Sequence, residues 1–324
     1  MRLLLAAIAT LALAMAAAPC PARAADYPTK PIRLIAPYPP GGGVDLSARL
    51  VADSLSAKLG QQVVVENRPG ATGTIGSDYV AKSPADGYTL LWTSTDSITI
   101  VPALRPNMAY KVPDDFTFVG KIAETGMSFA VSAKLPVKSI SELVAYGKAN
   151  PGKIRYGSTG VGGSPHLATL MFEKYAGIKM THIPYKGVAP SLADLLGGHI
   201  EFALVTPITI APYLGSDKIR IIGISAPARH PMLPDAPTVK EAGLPQATST
   251  VWYALFGPAK LPAKVTDRLR KDLAAIAESP ELKEKLEKAG LQMSPMMGDA
   301  FEKSAVSELK EWKDIGKAEN ITLE

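Results

Sequence analysis

Short apolar runs alternate with segments of helical periodicity along most of the chain. The apolar run at 32–38 stops at a Pro-Pro-Gly-Gly-Gly sequence, and apolar residues then recur at helical spacing over 44–59. Further short apolar runs predict strands at 63–65, 88–93, 154–156, 181–184, 200–205, 219–224 and 251–256. Because strands and helices alternate, the pattern predicts an α/β fold in which helices cover largely parallel sheets.

The N-terminal segment has the features of a secretion signal. Arg2 precedes an apolar run rich in Ala and Leu, and an Ala-Arg-Ala sequence ending at Ala24 fits the small-x-small cleavage rule. We therefore expect a cleaved signal peptide over residues 1–25 and a periplasmic mature chain. Two alternatives stay open. The apolar run could be a retained anchor, although it is short for a membrane span. Cys20 could be acylated, although Pro19 stands where a small residue is expected.

Composition excludes several classes of protein. The chain is 47% hydrophobic and 20% charged, so it can bury a core. Its net charge of +5 is small and dispersed, which argues against a nucleic-acid partner. Cys20 is the only cysteine, so disulfides do not stabilise the mature chain and a catalytic cysteine is excluded. The four histidines have no metal-binding spacing, and no Gly-x-Ser-x-Gly motif occurs. We expect neither a metal nor a cofactor nor catalysis.

Two glycine-rich loops feed helices. The first runs from Pro39 to Asp45, and the second runs from Gly157 to Ser164. A helix start has unpaired backbone N–H groups and a partial positive charge, so a glycine-rich approach to it can hold a carboxylate or phosphate. Neither loop matches the nucleotide-binding motifs. They could equally be ordinary tight turns. The charge of Asp45 would repel an anion unless its side chain points back into its own helix.

Five ordered blocks of sequence carry a family resemblance. They are KPIRLIAPYPPGGGVD at 30–45, ENRPGA at 66–71, DGYTL at 86–90, HIPYKG at 182–187 with DLLGGH at 194–199, and LPDAPTVKEAG at 233–243. Together they resemble the tripartite tricarboxylate transporter receptors, the Bug family of periplasmic solute-binding proteins. The resemblance covers nearly the whole mature chain.

The resemblance implies an α/β fold of the two-lobed type II periplasmic-binding-protein (Venus-flytrap) class, with a mixed sheet in each lobe. One lobe would comprise 26–122 plus 225–324, the other 123–224, with hinges near Ala123 and Ile224. It also implies a monomer without cofactor that binds a small organic carboxylate and delivers it to the membrane subunits of a transporter. Main-chain amides of the two glycine-rich loops would hold the ligand carboxylate.

The candidate ligand-binding residues come from these loops and from strand ends, because ligands of α/β folds collect beyond the carboxyl ends of strands. They are Tyr38, Gly41, Gly42, Gly43, Val44, Ser94, Thr95, Asp96, Ser158, Thr159, Val161, Gly162, Gly163, Ser164, Tyr185, Thr206 and Trp252. Thr206 stands where many family members carry Asp. Asp96 could accept an ammonium or a ring N–H, or simply cap a turn. Trp252 and Tyr253 could stack on a ligand ring, or belong to the core.

These features predict a periplasmic carboxylate receptor. Two other classes stay open on the same fold, an exported enzyme acting on a small acid and a sensor subunit that detects one. Tyr38, Trp252 and the scarcity of charged candidates favour an aromatic carboxylate, or one with an uncharged body, over citrate.

Overall fold

The computed structural model describes residues 27–319 and 321–323. The predicted signal peptide and Cys20 lie outside these residues. The strands are β1 (Ile32–Ala36), β2 (Val63–Asn67), β3 (Thr89–Ser94), β4 (Phe116–Gly126), β5 (Ser128–Ser132), β6 (Arg155–Ser158), β7 (Thr181–Pro184), β8 (Phe202–Val205), β9 (Ile219–Ile224), β10 (Thr250–Pro258) and β11 (Gln292–Met297).

The α-helices alternate with these strands, as the apolar pattern predicts. They are α1 (Gly43–Leu59), α2 (Thr74–Ala81), α3 (Val101–Leu104), α4 (Ile140–Ala149), α5 (Ser164–Ala176), α6 (Val188–Gly197), α7 (Pro207–Ile210), α8 (Ala263–Ala277), α9 (Pro280–Lys288) and α10 (Gly298–Glu319). A π-helical turn, Asp96–Ile100, precedes α3, and short 3-10 turns lie at Ala71–Gly73, Ala211–Tyr213 and Pro245–Ala247.

The strands form two mixed sheets. The first sheet has six strands in the order β11-β4-β10-β3-β1-β2, and the second has five in the order β7-β6-β8-β5-β9. In the first, β1 is parallel to β2 and β3, whereas β10 is antiparallel to β3 and β4. In the second, β6 is parallel to β7 and β8, whereas β5 is antiparallel to β8 and β9. The α/β class and the mixed sheets are therefore confirmed. The expectation of largely parallel sheets is wrong, because β4, β5, β9, β10 and β11 pair antiparallel.

The chain passes between the sheets twice. It leaves the first sheet at Gly126, enters the second at Ser128, and returns after Ile224. The predicted crossing at Ala123 falls within β4, three residues before that strand ends, and the predicted crossing at Ile224 is the last residue of β9. The division into two lobes that move about these points stays a prediction.

Helix α1 shows how local sequence positions the first glycine-rich loop. Its apolar residues recur every three or four positions, so one face is buried against the first sheet. The buried apolar residues of that face are Val44, Ala48, Val51, Ala52, Leu55 and Leu59. Gly60 ends the helix in the left-handed conformation, with a φ of 70°, and its N–H donates to Ser56. The start of α1 is thereby fixed beside the end of β1.

Three strands escaped the sequence analysis, and each has a physical reason. In β4, Lys121 and Glu124 interrupt the apolar pattern because they form an ion pair of 2.8 Å on the sheet. Strand β5 follows after one residue, so the two merge into one long segment. Strand β11 is half-exposed at the sheet edge and contains Pro295, which an edge strand tolerates.

The sheets bring four strand ends to one place. The carboxyl ends of β1 and β3 in the first sheet, and of β6 and β8 in the second, are followed by the segments with the candidate residues. The two glycine-rich loops are two of these segments, and Ser94 to Asp96 and Thr206 belong to the others. Parallel strands of an α/β fold present their ligand-binding loops at this edge.

Candidate functional site

A cavity of about 60 Å³, the inner cavity, lies where these four strand ends meet. Both sheets contribute to its wall. Its lining consists of Tyr38, Pro39, Pro40, Gly42, Gly43, Val44, Ser94, Asp96, Met127, Thr159, Ser164, Pro165, Gly187, Val188, Ala189, Leu204, Val205, Thr206, Thr209, Val251 and Tyr253. Among the described residues, no Lys, Arg or His lines it. Any anion inside it must therefore be held by amides, hydroxyls and helix termini.

A second cavity of about 600 Å³, the outer cavity, adjoins the first. The two share Tyr38, Pro39, Thr159 and Gly187 as lining residues. The rest of its lining is Pro69, Gly70, Ala71, Thr72, Gly73, Arg105, Gly160, Val161, Tyr185 and Lys186. Cationic side chains are thus found at the outer cavity and not at the inner one.

The first glycine-rich loop directs a helix start at the inner cavity. Gly42 is the N-cap of α1, and its carbonyl oxygen accepts the first helical bond, from Leu46 at 2.9 Å. The N–H groups of the first helical residues, Gly43 and Val44, have no partner within the helix. A Cβ atom on Gly43 would lie 2.5 Å from the hydroxyl oxygen of Tyr253. Glycine at this position therefore brings the bare backbone against the cavity.

Asp45 points back into its own loop rather than at the cavity. Its Oδ2 accepts the N–H of Gly41 at 2.9 Å, and its Oδ1 accepts from Asn67 at 2.9 Å and Arg49 at 2.8 Å. Burial acts to raise the pKa of Asp45, but the hydrogen bonds outweigh it and hold the pKa below its usual value. The carboxylate braces the loop, and in doing so it occupies the amide of Gly41.

The second glycine-rich loop uses much of its own backbone. The N–H of Gly160 donates to Ser158 Oγ at 3.1 Å, and the N–H of Gly163 donates to the Gly160 carbonyl oxygen at 3.3 Å. The N–H of Gly162 donates to Nδ1 of His166 at 3.2 Å. These three amides maintain the loop itself. The two loops therefore differ in how their amides are used, whereas the resemblance implied that main-chain amides of both hold the ligand carboxylate.

Three stacked rings, those of Tyr156, His182 and His166, lie against the second loop. The rings of His166 and His182 lie 4.1 Å apart between centroids, and those of His182 and Tyr156 lie 4.8 Å apart. Ser158 Oγ lies 2.7 Å from Nε2 of His182. Burial, and to a lesser degree His182, lowers the pKa of His166 to about 4, and burial also lowers the pKa of His182. Both rings are neutral near pH 7, and a neutral Nδ1 is what the Gly162 bond requires.

Asp96 links the end of β3 to the start of α5. The side chain is 3% exposed and lines the inner cavity. The backbone N–H and the hydroxyl of Ser164 lie beside its carboxylate, while Oδ1 has no hydrogen-bond partner among the described residues. Burial raises the pKa of Asp96 to about 6, and the adjacent N–H and hydroxyl of Ser164 offset only part of that effect.

Hydroxyl groups make up the rest of the polar wall. Thr206 Oγ1 lies 3.1 Å from Thr209 Oγ1, and it also hydrogen-bonds Tyr253. Burial raises the pKa of Tyr253 and of Tyr38, so both phenols are neutral. These groups can donate to or accept from a ligand without adding charge.

The two sides of the cleft touch each other. Thr72 Oγ1 donates to the carbonyl oxygen of Val161 at 3.2 Å. A Cβ atom on Gly187 would lie 2.9 Å from Pro39, and one on Gly42 would lie 3.2 Å from Val188. Loops of the first sheet are therefore in direct contact with loops of the second across the cleft.

Most of the predicted site residues meet at the two cavities. The inner cavity includes Tyr38, Gly42, Gly43, Val44, Ser94, Asp96, Thr159, Ser164 and Thr206. The outer cavity adds Val161 and Tyr185. The predicted residues that line neither are Gly41, Thr95, Ser158, Gly162, Gly163 and Trp252. Gly41, Ser158, Gly162 and Gly163 instead make the hydrogen bonds that shape the loops.

Trp252 belongs to the core beneath the site. Its Nε1 donates to Glu308 Oε2 at 2.7 Å, and its ring packs edge-on against Phe301 with centroids 5.3 Å apart. Its neighbour Tyr253 lines the cavity instead. Successive residues of a strand face opposite sides, so only one of the two could reach the ligand. The period of β10 carried this signal, since Val251 and Tyr253 share a face.

Sequence reasoning missed the apolar part of the lining. Those residues are Pro39, Pro40, Met127, Pro165, Gly187, Val188, Ala189, Leu204, Val205, Thr209 and Val251. Most are apolar residues at strand ends or helix starts, which the sequence does not distinguish from core. Only proximity to a strand end could have suggested them.

The residues 27–319 and 321–323 contain no group of three His, Cys, Asp or Glu side chains arranged to hold a metal ion. Within the same part of the chain, no helix has both the length and the apolar character that crossing a membrane would need.

Comparison with known proteins places the site in context. The family model described as tripartite tricarboxylate transporter family receptor matches residues 47–321. The protein BugT of Bordetella pertussis is 32% identical over 310 residues, which are 95% of this chain and 95% of BugT. The structure of Rhodopseudomonas palustris Rpa4515 with adipate is 32% identical, has a TM-score of 0.88, and matches 92% of this chain and 99% of its own.

A third protein is more distant in sequence but has the same architecture. MatC from Rhodopseudomonas palustris, with bound malate, is 25% identical and has a TM-score of 0.82. The match covers 89% of this chain and 99% of MatC.

Proposed function

The chain belongs to the tripartite tricarboxylate transporter receptor family, and on that premise we propose that its inner cavity captures a small organic carboxylate in the periplasm. Receptors of this kind hold a solute without transforming it. The closed form with its ligand would be presented to the membrane subunits of a transporter, which pass the solute onward.

The start of α1 is the observation that carries this proposal. Gly43 and Val44 line a cavity, and their N–H groups have no partner within the helix and lie at the positive end of a helix dipole. A carboxylate needs this combination of donors and partial charge. Asp45 does not compete with a ligand, because its oxygens are bonded to Gly41, Asn67 and Arg49.

The solved relatives point to the same chemistry. Rpa4515 was obtained with adipate and MatC with malate, and both ligands are organic acids. The lining of this chain differs from a site built for several carboxylates, because no Lys, Arg or His faces the inner cavity among the described residues. We infer a ligand with an uncharged body. Tyr38 and Tyr253 line the cavity and are compatible with a ligand that has an aromatic body. Trp252 gives no support to such a ligand, because its ring packs against Phe301.

The mechanism follows from the arrangement of the loops. An anion binds to the α1 start while the two sides are apart, and closure then brings Thr159 and Ser164 over it. The ligand shifts the population toward the closed form because only that form offers both sets of contacts. Movement about Ala123 and Ile224, a monomeric state and export by the predicted signal peptide belong to this proposal.

A thermal-shift panel on the mature chain tests the proposal. The panel contains acetate, butanoate, benzoate, malate, adipate and citrate, with a neutral sugar and a cationic amine as controls. A ligand at a hundred times its Kd should add about 2.7 kcal/mol to the free energy of unfolding. Stabilisation by the sugar or amine alone, with no response to any acid, would overturn the carboxylate assignment.

Recovery of the ligand separates the receptor from the two other classes. A receptor returns the acid unchanged and in stoichiometric amount after the complex is unfolded. Appearance of a product would establish an enzyme. Capture by a membrane kinase in place of transporter subunits would establish a sensor.

A further inference from the structure

We propose that Asp96 takes up one proton when an anion enters the inner cavity, so that capture of the carboxylate is coupled to proton uptake. The inference rests on the proposed function in one respect, which is that the inner cavity holds an anion.

The position of Asp96 carries the inference. Its side chain is 3% exposed and lines the same 60 Å³ cavity as Gly43 and Val44, which would hold the anion. Its Oδ1 has no hydrogen-bond partner among the described residues. An entering carboxylate therefore shares a small, buried space with a second carboxyl group, one of whose oxygens is unpartnered.

The surroundings supply no positive charge to separate the two groups. The titratable side chains on the elements around Asp96 are those of Tyr38 in the first loop, Tyr253 on β10, His166 on α5, Glu308 on α10 and Tyr110, which bonds the Ser97 carbonyl oxygen. The phenols and His166 are neutral near pH 7, and Glu308 is an acid bonded to Trp252 outside the cavity. Arg105, which follows α3, lines the outer cavity. The packed segments Thr89–Ser94 and Ala71–Gly73 have no titratable side chain.

Two carboxylates in one poorly solvated cavity repel each other, so one of them binds a proton. Asp96 is the better acceptor, since burial has already raised its pKa to about 6. The ligand carboxylate, by contrast, is stabilised as an anion by the amides of α1. The proton comes from the solvent and binds Oδ1, the oxygen without a partner. The neutral carboxyl group then no longer repels the anion.

Coupling of anion binding to proton uptake determines the direction in which the Kd changes with pH. Above the pKa of free Asp96, each anion bound requires one proton from solution, so the Kd rises by about tenfold for each pH unit. Below that pKa the Kd becomes independent of pH. Ligands that are already fully ionised show the same slope, because the proton belongs to the protein.

Calorimetric titration of the mature chain tests the coupling. Benzoate, malate and adipate are titrated at several values between pH 6 and 8.5, in two buffers that differ in ionisation enthalpy. The wild-type chain should take up about one proton per anion near pH 8. Asp96→Asn should take up none and should bind at pH 8 about as tightly as the wild-type chain binds at pH 6. Asn keeps an acceptor for Ser164.

Glu308→Gln is the matched control, because Glu308 is also a buried acid whose pKa burial raises. It should retain the wild-type slope. A carboxylate that binds without proton uptake, or a slope that persists in Asp96→Asn, would overturn the inference and leave the proposed function standing. Failure of every acid to bind at any pH would instead overturn the proposed function. If Asp96→Asn does not fold, the proton count of the wild-type chain decides alone.

Discussion

The hydroxyl of Thr72 donates to the carbonyl oxygen of Val161 at 3.2 Å, and this bond joins the two sides of the cleft at the outer cavity. Thr72 adopts a left-handed backbone conformation with φ 55° and ψ 41°, which a β-branched residue rarely adopts. Its carbonyl oxygen also accepts the hydroxyl of Tyr38 at 3.0 Å. A strained residue thus connects the wall of the inner cavity to the opposite side of the cleft.

Removing the hydroxyl of Thr72 should speed ligand release. Thr72→Val keeps the β-branched shape but loses a hydrogen bond worth about 1 kcal/mol to the closed form, so the dissociation rate should rise about fivefold. Stopped-flow release of the acid that stabilises the chain most measures it. Thr181→Val is the control, because the Thr181 hydroxyl also donates to a carbonyl oxygen, that of Gly152, but lies outside both cavities. Equal rates in all three chains would mean that the bond does not hold the cleft closed.

Adding one methyl group at Gly43 should weaken binding. The new Cβ of Gly43→Ala would lie 2.5 Å from the hydroxyl oxygen of Tyr253, so the helix start must move away from the cavity. We expect the Kd to rise by at least about tenfold with little loss of folding. Adding Tyr253→Phe removes the closest obstructing atom and should recover part of the affinity, since Thr206 Oγ1 would still lie 3.1 Å from the new Cβ. An unchanged Kd in the single variant would show that this loop is only a turn.

Substitution of Trp252 should affect stability and not binding. Trp252→Phe removes the indole donor to Glu308 Oε2, and the loss of this hydrogen bond from a partly buried carboxyl group costs about 1–3 kcal/mol in the free energy of unfolding. The Kd should stay within about twofold of the wild-type value, because the ring faces Phe301 and not the cavity. Urea unfolding and calorimetry measure the two quantities. A Kd raised by an order of magnitude, with stability unchanged, would put the ring back at the ligand.

Protonation of His166 should destabilise the chain in acid. Its pKa is 6.5 when unperturbed and about 4 in the folded chain, so the unfolded chain binds more protons between these values. The contribution of His166 to stability is therefore complete above pH 6.5 and falls by about 1.4 kcal/mol per pH unit as the pH drops toward 4. His166→Gln should be free of this loss, as urea unfolding at pH 7.5, 6 and 5 would show.

The contribution of Asp96 to stability has the opposite pH dependence and provides a second test. Its folded pKa of about 6 lies above the unperturbed 3.8, so the folded chain gains stability as the pH falls through 6 toward 4. The two effects oppose each other in the wild-type chain. Relative to the wild type, His166→Gln should therefore become more stable as the pH falls. Asp96→Asn should be more stable than the wild type at pH 7.5, because it lacks the buried charge, and this difference should shrink as the pH falls. Parallel pH profiles for all three chains would contradict both assignments.

Local pattern was enough to predict the elements that frame the site. The spacing of Val44, Val51 and Leu55 identified α1, and the glycines before it identified the loop, because both signals depend on neighbouring residues only. Strand ends then indicated Ser94, Asp96 and Thr206 as candidates. Strand β4 was missed since the Lys121–Glu124 pair disguised a sheet position as a surface one.

The hydrogen bonds and the burial of each site residue depend on partners that are distant in sequence. These partners could not be predicted from the sequence. Nothing near Gly162 indicates that its amide binds a histidine ring that is held in turn by His182. The pKa of Asp96 likewise depends on its burial and on Ser164, which lies on another part of the fold. The choice between Trp252 and Tyr253 needed only the period of β10, so that information was present in the sequence.

The ring stack of Tyr156, His182 and His166 allows the ligand selectivity of the inner cavity to change while the conformation of the second loop stays the same. The stack holds the second loop through its own ring contacts. The side chains of Val188, Leu204 and Thr209 line another part of the inner cavity. Substitutions there can alter which metabolite fits while the second loop keeps its shape. A gene duplicate could in this way acquire a new cargo in small steps, each of which still folds and still binds an acid.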